Sequence, residues 1–502
     1  MSINEKYELE KALEQITAIA KGYNLDFYDM YFEICPADIL YTFGAYGMPT
    51  RFSHWSFWKA YHKMKTQYDY NLSRIYEMVI NSDPCYAFLL EGNSLIQNKM
   101  VMAHVLAHCD FFKNNYYFQR TSRQMVESMS VAAQRIRQYE FAHGREKVES
   151  FLDSVISIQE HIDPYRDIGK NEPAIEKPES GGCCGGEGCG KDCGKDSCKD
   201  KVCEGGNCGH THSEQESPYD DLWKLDHLGE EQESKDDTQK AKKFPQKPEK
   251  DLLLFIMEYG RDLEDWQRDI ISIIREEMFY FWPQMQTKIM NEGWATYWHL
   301  RIMRDMDLTE EESLEFAKLH SGVIQSSKVR LNPYFLGLKL FEYIEKRWDE
   351  PGEEDRIKYG RPGGEGRQKI FEIRELDNDI SFLRNCLTEE FVEQEDIYLY
   401  KKVGYEWKIV EKDWQKVRDS LVASMVNSGF PYIVVQDGDY GKRGELYLHH
   451  AYEGAELDVY YLERTLPHVY KLWGRPVYLE TVLDSKKVLF NYSGEKVSKK
   501  FV

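Results

Sequence analysis

The sequence predicts a mainly α-helical protein with an α+β C-terminal domain. Three observations carry this. Apolar residues recur at three- and four-residue spacing from residue 5 to about 160, and again from Asp251; that is the period of a helix with one buried face. After about residue 370 the period mixes with short apolar runs bounded by glycine-rich turns, the pattern of strands. Between the two helical stretches lies a segment rich in Gly, Cys, Lys, Asp, Glu, Gln and Pro, too poor in apolar surface to fold alone.

Taken in order, EKYELEKALEQITAIAKGY opens the chain as a helix, and QMVESMSVAAQRIRQYEFAHGREKVESFLDSV repeats the pattern. Between them, Phe43 to Trp58 is aromatic-rich, with Gly44, Gly47 and Pro49 marking a structured loop. These residues form the first part of a helical core domain, 1–165. Residues 166–248 read as a disordered Cys-rich insert. The core resumes over 249–348 with DLLLFIMEYGRDLEDWQRDIISIIREEMFYFW, then helices at about 284–304, 309–321 and 334–347. The polar, Gly- and Pro-rich stretch 349–368 reads as a linker. An α+β domain follows over 369–502. It has a hairpin at 396–410, a helix from Glu411 to Val426, and strands PYIVVQD and GELYLHHAY around a turn at Gly438 to Gly444. A helix around Leu462 to Leu472 then precedes strands PVYLETVL and KKVLFNYSG.

Among 502 residues, Lys+Arg is 65 and Asp+Glu is 86, a net charge of −21. Such an acidic balance argues against a general nucleic-acid binder, which needs a basic face. The start, MSINEKYELEKALEQ, is charged and has no apolar targeting core. The longest clean apolar run, Leu252 to Met257, is six residues, where a membrane span needs about 20. A cytoplasmic protein is expected. In that reducing setting Cys35, Cys85, Cys109 and Cys386 read as buried free thiols. The remaining cysteines, Cys183, Cys184, Cys189, Cys193, Cys198, Cys203 and Cys208, crowd into the insert ahead of His210 and His212. They form no CxxC knuckles. They read either as a loose soft-metal or redox-sensitive tract or as an incidental low-complexity insert. No GxxxxGK[ST] and no convincing GxGxxG occurs, which argues against a nucleotide site.

Two motifs carry possible chemistry. His104 and His108, in NKMVMAHVLAHCDFFKNN, are spaced to share one helix face. That is the spacing with which HExxH helices hold zinc, but Val105 stands where the usual general-base Glu would be. A core histidine pair is the plainer reading. In IMNEGWATYWHLRIM, Glu292, Thr296 and His299 share a second helix face. A Glu and a His on an apolar helix are costly to bury unless paired or ligating; Arg301 or Arg275 is the alternative partner for Glu292. Together the motifs resemble the layout of the gluzincin metallopeptidases. That resemblance implies His104, His108 and Glu292 as ligands of one divalent metal such as zinc, with an open position for water. It implies a metal-dependent hydrolase of zincin-like architecture, with proteolysis of the usual kind in doubt. Glu33, Glu91, Asp110 or His299 could supply another base. His299, His54 and Asp110 are the expected supporting residues around the ligands. His54 belongs to a loop with Glu33, Asp38 and Arg51 set among aromatics, where a structural His is the plainer reading. In the C-terminal domain, His449 and His450 are adjacent on a strand, so at most one points inward. That domain is expected to mediate docking.

YDMYFEICPADILYTFGAYGMPTRFSHWSFWK, MVMAHVLAHCDFFKNN, YFWPQMQTKIMNEGWATYWH and NPYFLGLKLFEYI resemble the stage V sporulation protein R (SpoVR) family. The resemblance spans nearly the whole chain outside the insert. It implies a place in assembly of the spore cortex, a peptidoglycan layer, or in a stress or stationary-phase regulatory module. It also implies an AAA-type serine protein kinase and a von Willebrand-A-like protein as partners. It assigns no catalytic residues, and a non-catalytic regulator or scaffold acting through partners is the alternative function.

Overall fold

The computed structural model describes residues 3–70, 77–166, 244–325 and 331–502. The seven cysteines of the insert, with His210 and His212, lie outside them.

Helix α1 (Ile3–Gly22) buries Leu9, Ala12, Ile16 and Ala20, the stripe that its three- and four-residue spacing dictates. It lies on α4 (Leu95–Asn114). Between them the chain forms β1 (Met30–Cys35), α2 (Ala37–Tyr46), α3 (Trp55–Asp69), β2 (Glu77–Ile80) and β3 (Cys85–Leu90). The three strands make one sheet in the order β1-β3-β2, with β1 parallel and β2 antiparallel to β3. This sheet is absent from the helical reading of the first 160 residues. Its central strand, CYAFLL, is almost wholly buried, so it shows no alternation and cannot be told from a buried helical turn by period alone.

Every residue of α4 from Met100 to Phe112 is buried. Ser94 and Gln97 form a capping box at its start, satisfying otherwise unpaired backbone N–H groups. Then come α5 (Met125–His143), α6 (Arg145–Ile156), α7 (Leu252–Tyr259), α8 (Asp265–Gln286), α9 (Lys288–Asp305), α10 (Glu310–Val323) and α11 (Pro333–Asp349). Helices α9 and α11 cross where Gly293 meets Gly337. A Cβ on Gly293 would stand 2.4 Å from the Gly337 backbone, and one on Gly337 would stand 2.2 Å from the Ile289 carbonyl oxygen. Only glycine permits this approach.

The stretch 349–368 holds a short helix, α12 (Glu353–Tyr359). Asp355 ties it to Arg347 of α11 at 2.8 Å and to Arg361 at 3.1 Å. Helices α13 (Gly366–Leu376), α14 (Asp379–Cys386), α15 (Glu389–Gln394) and α16 (Trp414–Met425) share one apolar cluster with α1, α4, α9 and α11. The hairpin β4 (Leu399–Val403) and β5 (Glu406–Glu411) lies between α15 and α16. A second cluster joins α6, α7 and α8 to the C-terminal sheet. That sheet has the order β10-β9-β8-β7-β6. Its strands are β6 (Ile433–Tyr440), β7 (Glu445–His450), β8 (Val477–Leu483), β9 (Lys486–Tyr492) and β10 (Val497–Phe501). Helix α17 (Val459–Trp473) connects the parallel pair β7 and β8. The helices and strands expected after residue 396 all occur within a few residues of their expected places. No helix among the described residues is long and apolar enough to cross a membrane.

Candidate metal centre

His104 and His108 lie one turn apart on α4, their rings 4.5 Å apart and nearly perpendicular. Glu292, on α9, faces both: its Oε2 is 3.6 Å from Nε2 of His104 and 3.5 Å from Nε2 of His108. Ligand atoms of the three all lie within 4.8 Å of one another. Two atoms each about 2.0–2.1 Å from one zinc ion, at a tetrahedral angle, lie about 3.3 Å apart. The observed separations are too long for good hydrogen bonds and slightly longer than a shared cation needs. Oε2 of Glu292 is buried and has no hydrogen-bond partner, an arrangement that is costly without a ligand.

The far side of each imidazole is engaged. Nδ1 of His108 donates to Oδ1 of Asn291 at 2.8 Å, and Nδ1 of His104 is 3.0 Å from Nδ1 of His299. A histidine that donates from Nδ1 leaves Nε2 bare for a metal. The three groups are coupled electrostatically. Burial pushes the Glu292 carboxyl up, but His104 and His108 outweigh it and hold the group well below the usual carboxylate range. Burial and then His108 push His104 down, whereas for His108 the contacts with Glu292 outweigh burial and push it up. Tyr334, at the start of α11, stacks on His104 with centroids 6.1 Å apart. Half-buried Glu77, the first residue of β2, feels the charges of His108 and Glu292. Burial first, and Glu292 in addition, push its carboxyl up to about 7. The residues present fit one divalent cation.

The family description "SpoVR like protein" matches residues 4–430, and "SpoVR-like C-terminal domain" matches 431–484. The chain belongs to the SpoVR family. It is also 29% identical to "Uncharacterized protein YcgB" of Escherichia coli (strain K12), over 94% of this chain and 91% of that one. No solved structure matches.

In this SpoVR-family chain the predicted residues separate into those at the cluster and those elsewhere. His299 is in direct contact with His104. Asp110 is fully buried but bonds elsewhere: it accepts from the Asp26 backbone at 2.8 Å and from the Trp294 indole at 2.9 Å, with Arg374 3.6 Å away. It locks helices together rather than backing a ligand. His54 caps α3, with Nε2 3.1 Å from Asp153. Glu33, Asp38 and Glu91 are exposed. Arg51 pairs with buried Glu277 at 2.7 Å. Thr296 bonds back to the Glu292 carbonyl. Neither arginine proposed for Glu292 reaches it, since Arg301 pairs with Glu345 and Arg275 with Asp251, both at 2.7 Å. Val105 is buried in the core. In β7, His450 is buried and 2.9 Å from Thr481, while His449 is 40% exposed, so one of the pair points inward. Cys35, Cys85 and Cys109 are buried free thiols, and Cys386 is partly buried.

Sequence reasoning missed Glu77, Asn291, Tyr334 and His320. Asn291 precedes Glu292 and Tyr334 is the third residue of the NPYF run that opens at Asn332, so both sat inside motifs already noticed. Glu77 and His320 carried no local signal.

Proposed function

We propose that this chain is a metal-dependent protein that holds one divalent ion such as zinc on His104, His108 and Glu292 and hydrolyses an amide in formation of the spore cortex or in a stress-linked module. The observation that carries it is the buried Oε2 of Glu292, unpartnered and facing two imidazole nitrogens. A divalent ion held there supplies Lewis-acid chemistry. The gluzincin likeness rests on the ligand layout alone: two histidines on one helix and a glutamate on another. With Val105 in the usual base position, Glu77, whose carboxyl feels the charges of His108 and Glu292, is the carboxyl offered as the proton acceptor. Tyr334 shields one face of His104 from water.

Elemental analysis of the full chain, a form lacking residues 167–243, and the double variant His104→Ala/His108→Ala tests this. The expected result is one metal per chain that survives loss of the insert and disappears with the two histidines. Metal that follows the cysteines, or none in any form, overturns the reading.

A second reading has its own observation. Val105 is 0% exposed, so the position that holds the base in HExxH helices is packed as core. A non-catalytic cytoplasmic regulator that uses the metal for structure, and works through an AAA-type serine protein kinase and a von Willebrand-A-like protein, accounts for that. Amide hydrolysis by purified protein that vanishes in Glu77→Gln, with metal content unchanged, decides for the enzyme. Co-purification with those partners without turnover decides for the regulator.

A further inference from the structure

His104 is the first ring of a chain. Its Nδ1 lies 3.0 Å from Nδ1 of His299, and Nε2 of His299 lies 3.0 Å from Nδ1 of His320. His299 is 1% exposed, while His320, in the last turn of α10, is half-buried. The rings thus run from the ligand pocket toward solvent. Their spacing is held from outside: α10 is tied to α4 by Lys99 and Glu312 at 2.5 Å and by Ser94 and Glu315 at 2.8 Å. The Phe316 ring stands edge-on to His299.

Each N···N contact needs one N–H and one lone pair. A neutral imidazole carries one N–H and one lone pair, and a histidine that ligates through Nε2 keeps its N–H on Nδ1. For three neutral rings at these distances only two proton placements make both contacts. In one, His104 donates from Nδ1 to His299, His299 donates from Nε2 to His320, and His104 presents a bare Nε2 to the pocket. In the other every donor is reversed, and His104 carries its proton on Nε2, where it cannot ligate.

We propose that His299 and His320 are positioning residues of the metal centre, accepting in turn so that His104 keeps its proton on Nδ1 and offers Nε2 as the ligand. This rests on the metal reading above. A histidine's outer partner fixes which nitrogen is free to bind; here two further histidines perform the task that a carboxylate or carbonyl usually performs. No charge moves into the core, because all three rings stay neutral in both placements.

The test uses the full chain with 15N-labelled histidine and a zinc competition titration. With zinc bound, long-range 1H–15N correlation should find the protons on Nδ1 of His104, Nε2 of His299 and Nε2 of His320. His299→Phe, which cannot accept, should weaken zinc about 10–100-fold. His299→Gln, whose amide oxygen can accept, should recover most of that loss, and both variants are checked for wild-type circular dichroism. A proton on Nδ1 of His299 in the zinc form, or wild-type zinc affinity in His299→Phe, overturns the proposal. Should wild-type protein bind no zinc, the metal reading falls by itself. The metal-free spectrum then still judges the chain of rings: protons on Nδ1 of His104, Nε2 of His299 and Nε2 of His320 support it, and the reversed or a mixed placement refutes it.

Discussion

At Glu292 a single oxygen decides between a core and a site. A buried carboxylate that exists for packing is paired with an arginine or saturated with N–H donors, as Asp251 is by Arg275. Glu292 instead faces two imidazole nitrogens at 3.5–3.6 Å. Glu292→Gln keeps the shape and removes the charge. The wild-type melting temperature should rise on adding zinc, since a ligand at 100 times its Kd adds about 2.7 kcal/mol; Glu292→Gln should show little of that rise. An equal rise in both proteins counts against Glu292 as a ligand. A second residue-scale prediction concerns acid. Burial, then Lys250 and His450, hold His161 down to about 4. Between that value and the unfolded 6.5 the unfolded chain binds more protons, so stability present above pH 6.5 is lost as pH falls through 4. For this part-buried ring the loss is about 2–3 kcal/mol. The drop in urea midpoint from pH 7 to pH 4.5 should be smaller in His161→Gln than in wild type.

The site depends on where two helices start and cross. Helix α9 begins at Lys288 with its first N–H groups received by Asp379, whose carboxylate accepts from Ile289 and Met290 at 2.9 Å each. Asp379→Ala removes that cap, and a cost of about 1–2 kcal/mol is expected in urea unfolding. The crossing of α9 and α11 sets the reach of Glu292 and of Tyr334. Replacing glycine by alanine inside a helix normally gains up to about 1 kcal/mol from propensity. At Gly293 and Gly337 the new Cβ meets backbone at 2.2–2.4 Å, and backbone cannot rotate away. Overpacking of about 1–3 kcal/mol should therefore win. Gly293→Ala and Gly337→Ala are each expected to lower the urea midpoint and to weaken zinc binding; a raised midpoint would contradict the crossing.

Across the molecule, the helices after residue 365 belong to the same core as the histidine helix. Ile370, Phe382, Leu383, Phe391 and Val392 are buried in one cluster with Met102, Val105 and Trp294. Arg374 approaches Asp110, and Asp379 caps α9. Truncation after residue 368 therefore strips apolar cover, a cap and a buried ion-pair partner from the helices that carry the candidate metal centre. The truncated chain is expected to lose cooperative unfolding and zinc binding together, measured by circular dichroism and titration. A folded, metal-binding fragment would show the two parts to be independent, and only then would truncation serve as a test of docking by the C-terminal domain.

What the sequence determined by itself was local. The apolar period of α1, α5 and α6, the turns around β6 to β9, and the three candidate ligands were legible because spacing of 3.6 or 2 residues places side chains on one face without help from the rest of the chain. The family was legible too, through runs such as NEGWATYWH and NPYFLGLKLFEYI. Tertiary structure alone decided which polar residues meet. His320 lies 216 residues from His104 in the chain, and no periodicity links them. Glu77 is on a strand whose buried neighbour CYAFLL hides its own period. Asp110, two residues from His108, belongs to a different contact network because that short step turns it to another side of the helix. Which face of α4 became a site, and which became core, followed from the Gly293–Gly337 crossing and the Asp379 cap, and both are contacts between segments far apart in sequence.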